Sequence, residues 1–390
     1  MSVTGFMPGF TVSDMPMPTQ IILLILVHLG GVGIMGVTTF LAMITGARLG
    51  VKGRLFAAGE LGVDSPMDIG GVLWIVFGYT IVLEIIGALL LYMKFTEIDE
   101  SQLMAVYHSL FFSINGFCSG GFSFYHGGLA GLRSTFIIPA VLMILMTTGG
   151  LGFPVLAELR ALAYGRVRFL SPYAKIVLAA TAIFTTIGTV VLMLLEWNDA
   201  FSDMTLMEKF WNALFTSISA RGGGFATFSY GDWSQEGLAV LMLFMFIGAA
   251  PSSTAGGIKI TTFAVLLCAA LSELKNQEDV VIYGRRITPF NIRRALTLAF
   301  IYMVTIFLAV TILSKIEDIP FTKLAFETVS ALGTAGLTSG ITSSLSVTGK
   351  MVLVLLMLWG RVGILTFCFS LVRRDTPENV HYPETNIPIG

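Results

Sequence analysis

Charge is scarce in this chain. Only 12% of its 390 residues are Asp, Glu, Lys or Arg, about half the share of a soluble domain. Hydrophobic residues make up 55% and the mean hydropathy is +0.84, so the composition reads as an integral membrane protein. Four histidines (His28, His108, His126, His381) and three cysteines (Cys118, Cys268, Cys368) are scattered without metal-ligand spacing. Neither a disulfide framework nor a zinc site is expected from them. A net charge of −1 with no basic tract gives no footing for nucleic acid. The N-terminal residues lack a basic segment followed by an apolar one, so no cleavable signal peptide is expected. No nucleotide-binding motif occurs either.

Glycine, by contrast, is abundant at 42 residues, and it recurs in order. Residues 112–125 read FSINGFCSGGFSFY, residues 215–228 FTSISARGGGFATF, and residues 326–338 FETVSALGTAGLT. Each is a mildly apolar segment running into a turn with Ser, small residues, Gly and a large apolar residue. Gly121, Gly224 and Gly336 mark a period of roughly 110 residues. One further period back lies Gly5, in SVTGF at residues 2–6, a turn of the same kind. The chain thus reads as a fourfold repeat whose first copy lacks its front end.

Apolar runs long enough to span a bilayer, which takes about 20 residues, flank these turns. They are expected at 20–44, 71–93, 135–156, 174–195, 295–313 and 351–372, with an interrupted run at 238–271. Two carry glycine-rich stretches, Gly30-Gly31-Val32-Gly33 and Gly149-Gly150-Leu151-Gly152. The segments before the turns, such as 103–114 and 207–217, are too short to span. The expected fold is an all-α integral membrane protein of helix, half-length helix, glycine turn and helix, repeated around a central pore. Its units are 1–69 (truncated), 70–172, 173–289 and 290–390.

Charge sets the orientation. Arg48, Lys52, Arg54, Arg160, Arg166, Arg168, Lys275, Arg285, Arg286, Arg293, Arg294, Arg373 and Arg374 collect between units or at the end. Glu97, Asp99, Glu100, Asp199, Asp203, Glu317 and Asp318 precede the half-length segments. The positive-inside rule puts the unit boundaries and the C-terminus in the cytoplasm and the turns toward the outside.

A segment that enters the membrane and turns back must satisfy its irregular backbone against protein or a water-filled path. Four such turns around one axis would present rings of backbone carbonyls that replace a cation's water shell. The partly negative C-terminal ends of the short helices would favour the cation. No Asp or Glu lies in the turns, so carbonyls would carry the selectivity. Residues 246–259, FIGAAPSSTAGGIK, put Pro and glycines between two apolar halves. Such a broken helix is tolerated where it lines a cavity; an ordinary proline kink is the plainer alternative. Arg361, between Gly360 and Gly363, is an ionisable residue at membrane depth and needs a partner. Either carbonyls of the broken segment or a carboxylate such as Glu84 could serve. Glu84 itself reads as a packing partner, and Phe111, Phe112 and Trp211 as packing or interfacial anchors.

The order of helix, short helix, single-glycine turn and helix, four times over, resembles the Trk/Ktr/HKT superfamily of potassium transporters. Within it the membrane subunits of bacterial Ktr systems are most similar, across essentially the whole chain. The resemblance implies a potassium filter at Val3, Thr4 and Gly5; Ser119, Gly120 and Gly121; Gly222, Gly223 and Gly224; and Thr334, Ala335 and Gly336. It implies an intramembrane gate at Gly248, Pro251, Ser252, Ser253, Thr254, Gly256, Gly257 and Lys259, with Arg361 beneath the filter. It further implies a homodimer in the plasma membrane with a cytosolic KtrA/TrkA-like nucleotide-binding subunit on the Arg-rich inner loops. Potassium is then the transported ion, sodium a candidate activator, and the chain itself carries no cofactor. Two departures bear on selectivity: Cys118-Ser119-Gly120 stands where the family commonly has Asn-Asn-Ala, and Gly222-Gly223 where it has Thr-Ala. The family also expects a spanning helix and a short helix ahead of SVTGF, so the sequence reads as a fragment or a misassigned start. A sodium-preferring member of the superfamily is one rival. A membrane-embedded hydrolase is another, but His28, the histidine inside an expected span, has no Cys, His or Asp beside it in sequence.

Overall fold

The computed structural model describes residues 2–7, 9–33, 69–99, 101–132 and 135–362. Arg48, Lys52, Arg54, Glu100, Gly363, Arg373 and Arg374 lie outside them. The described chain is helical except for one small hairpin. After an extended start and a 3-10 turn (Val12–Asp14), α1 runs over Met17–Val32, followed by α2 (Ile69–Ile98), α3 (Gln102–Phe117), α4 (Ile137–Gly150) and α5 (Phe153–Ala163). Next come α6 (Pro172–Leu195), α7 (Leu206–Ser219), α8 (Gln235–Phe246) and α9 (Ile260–Leu274). The hairpin Val281–Ile282 with Arg285–Arg286 precedes α10 (Pro289–Ile316), α11 (Phe321–Gly333) and α12 (Val347–Val362).

Helices α2, α6 and α10 contain the stretches long and apolar enough to cross a membrane. They wear their apolar side chains outward: Leu89 is 62% exposed, Leu194 68% and Phe307 71%. Polar residues go inward instead, with Ser113, Asn115, Thr216, Ser217, Glu327, Thr328 and Ser330 all buried. A water-soluble fold would aggregate with that distribution; in lipid it places each group in its favoured solvent. The chain is built for a bilayer.

The short helices α3, α7 and α11 sit in this polar interior, each against the long helix before it. Small residues let the pairs close up. Gly87 on α2 lies beside Ser113 of α3, whose hydroxyl donates to the Glu84 carbonyl at 2.6 Å. Gly188 on α6 lies beside Ser217 of α7, whose hydroxyl donates to the Thr185 carbonyl at 3.1 Å. Phe111, Phe112, Phe117, Phe215 and Phe326 fill the spaces between and are fully buried, while Trp211 packs on Phe136 with centroids 4.6 Å apart. The packing role expected of these aromatics holds.

A second recurring joint ties the end of a long helix to the start of a later, shorter one. Glu196, closing α6, accepts from Ser234 Oγ at 2.5 Å, and Ser234 caps α8 by accepting from the Gly237 amide. Glu317, closing α10, accepts from Ser346 Oγ at 2.5 Å, and Ser346 accepts from the Gly349 amide ahead of α12.

Two expected helices are corrected. The run expected as one helix over 135–156 breaks into α4 and α5, bent by 100°. Gly152 adopts φ +84°, a conformation that costs a side-chain-bearing residue strain, and Pro154 starts the new helix. The chain breaks there because the segment after α8 crosses at that point: the Phe153 amide donates to the Ser252 carbonyl at 3.0 Å. The helix expected over 20–44 likewise ends at Val32, with Gly33 at φ +95°, and the rest of that run lies outside the described residues. The interruption inside 238–271 is where the sequence places it, between α8 and α9. The hairpin was not expected; its two-residue turn, Tyr283 and Gly284, has φ +48° and +73°, the positive angles tight hairpins favour.

Candidate functional site

The four glycine turns meet at one point. At each, the glycine has positive φ: Gly5 +84°, Gly121 +68°, Gly224 +73° and Gly336 +85°. The residue two positions earlier does too: Val3 +54°, Ser119 +61°, Gly222 +117° and Thr334 +49°. For β-branched Val3 and Thr334 this is a strained backbone, the kind that persists only where surrounding structure imposes it.

The contacts between turns form a closed cycle. A Cβ built on Gly5 would lie 2.5 Å from the Gly120 carbonyl oxygen, and one on Gly121 2.8 Å from that of Gly224. One on Gly224 would lie 3.2 Å from the Ala335 oxygen, and one on Gly336 would collide with that of Thr4. Each glycine therefore lies against a backbone carbonyl of the next turn, and the fourth returns to the first. The intervening loops keep this order: Val12 and Ser13 donate to the Ser123 and Phe124 carbonyls, and the Leu129 amide to the Ala226 carbonyl.

Each described short helix ends in the same way at this point. The amides of Gly120, Gly223 and Ala335 fold back to donate to the carbonyls of Asn115, Ser219 and Ser330, at 2.7, 2.7 and 2.9 Å. Helix C-terminal ends carry partial negative charge, and those of α3, α7 and α11 run directly into the turns. Behind the fourth turn, the buried Glu327 carboxylate accepts from Thr338 Oγ1 at 2.5 Å, the Ser339 amide at 3.0 Å and Thr342 Oγ1 at 3.1 Å.

The segment between α8 and α9 lies directly against these turns. Ile247 and Ile258 pair as a bridge, the Gly248 amide donating to the Ile258 carbonyl at 2.9 Å. The amides of Ala250 and Thr254 donate to Gly150 and Gly149 at the end of α4. Thr254 Oγ1 is 2.9 Å from Ser119 Oγ of the second turn. Ala255 touches Gly222 of the third turn, and Gly256 packs on Thr334 Oγ1 of the fourth. Ser253 Oγ donates within the segment to Ala250, Lys259 Nζ to the Ala255 carbonyl at 2.7 Å, and Tyr173 Oη to the Pro251 carbonyl at 3.2 Å. Ser252 holds φ +55° and Gly257 +77°.

Arg361, on α12, fastens this segment to α1. Its guanidinium donates to the Thr254 carbonyl and to the Gly30 carbonyl, with the Gly31 carbonyl at 3.4 Å. Of the partners weighed from sequence, a carbonyl of the interrupted segment is met. Glu84 faces His28 Nδ1 at 3.2 Å and Cys118 Sγ at 3.5 Å. The sequence around His28 holds no such pattern; the three residues are far apart in the chain and join only through packing. Sequence reasoning also missed Glu327 and Arg221. Arg221 precedes the third turn, is 8% exposed and donates to Thr185 Oγ1 at 2.8 Å.

All twelve residues expected in the turns thus come together, and the expected residues of the interruption lie beside them with Arg361. The arrangement brings strained backbone, glycine-to-carbonyl contacts and three helix C-termini to one place.

Comparison with known proteins agrees. The family model described as TrkH, cation transport protein, matches residues 1–381. The chain is 30% identical over its whole length to the Ktr system potassium uptake protein B of Bacillus subtilis, covering 87% of that protein. It is 31% identical to the potassium/sodium uptake protein NtpJ of Enterococcus hirae, again over the whole chain and 87% of the relative. Among solved structures, the potassium transporter TrkH from Vibrio parahaemolyticus superposes with a TM-score of 0.74 at 19% identity, over 95% of this chain and 76% of that one. A helical membrane fold, a point where four glycine turns meet, and a family match across nearly the whole length lead to one statement: the chain belongs to the TrkH family of cation transport proteins.

Proposed function

We propose that the chain is the membrane subunit of a potassium uptake system and passes the ion through a pore at the meeting point of the four glycine turns. The closed cycle of glycine against neighbouring carbonyl carries this reading. Val3, Thr4 and Gly5, Ser119, Gly120 and Gly121, Gly222, Gly223 and Gly224, and Thr334, Ala335 and Gly336 form the filter, and α3, α7 and α11 are its pore helices. The units 1–69, 70–172, 173–289 and 290–390 each contribute one turn. Thr334 Oγ1, buried and without a hydrogen-bond partner among the described residues, adds a polar atom at the inner edge. Glycine is required at the centre because any Cβ would meet the neighbouring carbonyl.

Residues 246–259 act as the gate. They touch three of the four turns from one side, and Arg361 adds a positive charge beside them. Opening requires the Thr254 carbonyl to part from Arg361. Potassium then moves inward down its electrochemical gradient, aided by about 2.3 kcal/mol per charge for each 100 mV of membrane potential. The basic loops face the cytoplasm, as does the C-terminus. There a KtrA/TrkA-like nucleotide-binding subunit docks on a homodimer and controls the gate, with sodium as an activator.

A sodium-preferring pore is the second reading. It rests on the small residues at Ser119-Gly120 and Gly222-Gly223, and on a relative named for both ions. A hydrolase gains nothing from the family match.

Rubidium uptake into proteoliposomes by the wild type and Gly224→Ser tests the proposal. The expected result is potassium-competed flux in the wild type and a lost preference for potassium over sodium in the variant. Selective flux unchanged by Gly224→Ser would overturn the filter assignment.

A further inference from the structure

One cluster of reactive side chains is used by neither the turns nor the gate segment. His28 lies on α1, Glu84 on α2, and Cys118 closes α3, so three separate elements bring them together. Glu84 Oε1 is 3.2 Å from His28 Nδ1 and 3.5 Å from Cys118 Sγ, and all three ligand atoms lie within 4.8 Å of one another. Cys118 is fully buried, the Glu84 side chain is 8% exposed and that of His28 is 26% exposed. A buried apolar joint between helices needs none of these residues, and an ionisable group at membrane depth marks a site by default.

We infer that His28, Glu84 and Cys118 form a binding site for a divalent ion of the zinc class, and that its occupancy slows transport. An imidazole nitrogen, a carboxylate oxygen and a thiolate are the donor types zinc takes, and three protein ligands leave a fourth position for water. Tetrahedral zinc with ordinary bond lengths sets its ligand atoms about 3.3–3.6 Å apart. The two distances from Glu84 already fit; that from His28 to Cys118 has to shorten by at most about 1.2 Å. On binding, the Cys118 thiol proton leaves to water. The thiolate and the Glu84 carboxylate then balance the charge of the ion, which a low-dielectric interior demands.

The location supplies the regulatory part, which rests on the transport reading above. Cys118 is joined to Ser119 of the second turn, and Ser119 holds Thr254 of the gate segment at 2.9 Å. Gly31, whose carbonyl lies by Arg361, is packed on Cys118. An ion at the cluster would therefore tie α1, α2 and the end of α3 together, one residue from the second turn. It would hold in place both partners that keep the gate segment against the filter.

The test uses the full chain purified in detergent and titrated with cobalt(II), whose thiolate charge-transfer and tetrahedral ligand-field bands report the donor set directly. The expected result is one ion per chain with a thiolate band that disappears in Cys118→Ser. His28→Gln should retain the band but bind at least tenfold more weakly, guarding against a loss caused by misfolding of the cysteine variant. No thiolate band in the wild type, or an undiminished band in Cys118→Ser, would overturn the site. The second arm is rubidium uptake with zinc added, expected to fall at least threefold in the wild type. Zinc that binds while flux is unchanged would overturn the regulatory part alone. A chain that conducts no rubidium but shows the cobalt bands would count against the transport reading and leave the metal site standing.

Discussion

Ser119 and Thr254 share a hydrogen bond between their hydroxyls, 2.9 Å long, that joins the second glycine turn to the segment interrupting the helical run after α8. Both groups are almost fully buried, so the bond works in a low-dielectric setting where a lost partner matters. Ser119→Ala and Thr254→Val should each destabilise the protein by about 1 kcal/mol, and the double variant by little more than either alone. Denaturation midpoints of the four proteins in detergent check this. Full additivity would mean that the two hydroxyls do not act on each other.

Gly121→Ala should abolish selective transport, because its Cβ would sit 2.6 Å from the Gly224 Cα. Gly127→Ala is the matched control. Gly127 also has positive φ, +80°, but its Cβ would meet only Ala130 at 3.9 Å. The control should lose about 1–2 kcal/mol of stability from backbone strain and keep its ion preference. Flux ratios for rubidium and sodium separate the steric effect from the conformational one.

Arg361→Gln removes the positive charge beside the segment proposed as the gate and should raise rubidium flux severalfold. Arg361→Lys keeps the charge but lacks the guanidinium fork that reaches Thr254 and Gly30 together. Its flux should fall between those of wild type and Arg361→Gln. Equal flux in all three would remove Arg361 from the gate.

Glu327→Ala leaves the Ser339 amide and the hydroxyls of Thr338 and Thr342 without their buried acceptor. The expected loss is about 3 kcal/mol or more, since each unpaired buried donor costs about 1–3 kcal/mol. Glu327→Gln keeps an acceptor oxygen and should lose about 1 kcal/mol. Thermal unfolding measures both, and ion selectivity should weaken in step with the loosening of the fourth turn.

The repeated glycine turns were legible because a backbone conformation closed to most residues must be written as glycine in each copy, and a period of roughly 110 residues brings the copies into register. The interruption between α8 and α9 was legible for the same kind of reason, through Pro251 and its flanking glycines. The break at Gly152 was written in the sequence too, as Gly-Phe-Pro, but a helix can carry such a triplet as a kink. What decides the matter is the Ser252 carbonyl arriving to take the Phe153 amide, a contact across 99 residues that no local window contains. The acceptors of Ser234 and Ser346 are hidden in the same way, 38 and 29 residues upstream. His28, Glu84 and Cys118 give no local signal at all, because three different helices supply them.

The bond from Arg361 to the Gly30 carbonyl spans 331 positions of the chain, and the Thr4 carbonyl waits on Gly336 in the same way. Translation delivers Val3 and Thr4 more than 350 residues before Arg361. The strained first turn therefore cannot meet Gly336 until the fourth turn has been made. Assembly of this site therefore waits for α12 to join the helices that precede it. Truncating the chain before α12 should then yield a protein that inserts but leaves the Gly30 and Thr254 carbonyls without Arg361, a ready substrate for membrane quality control.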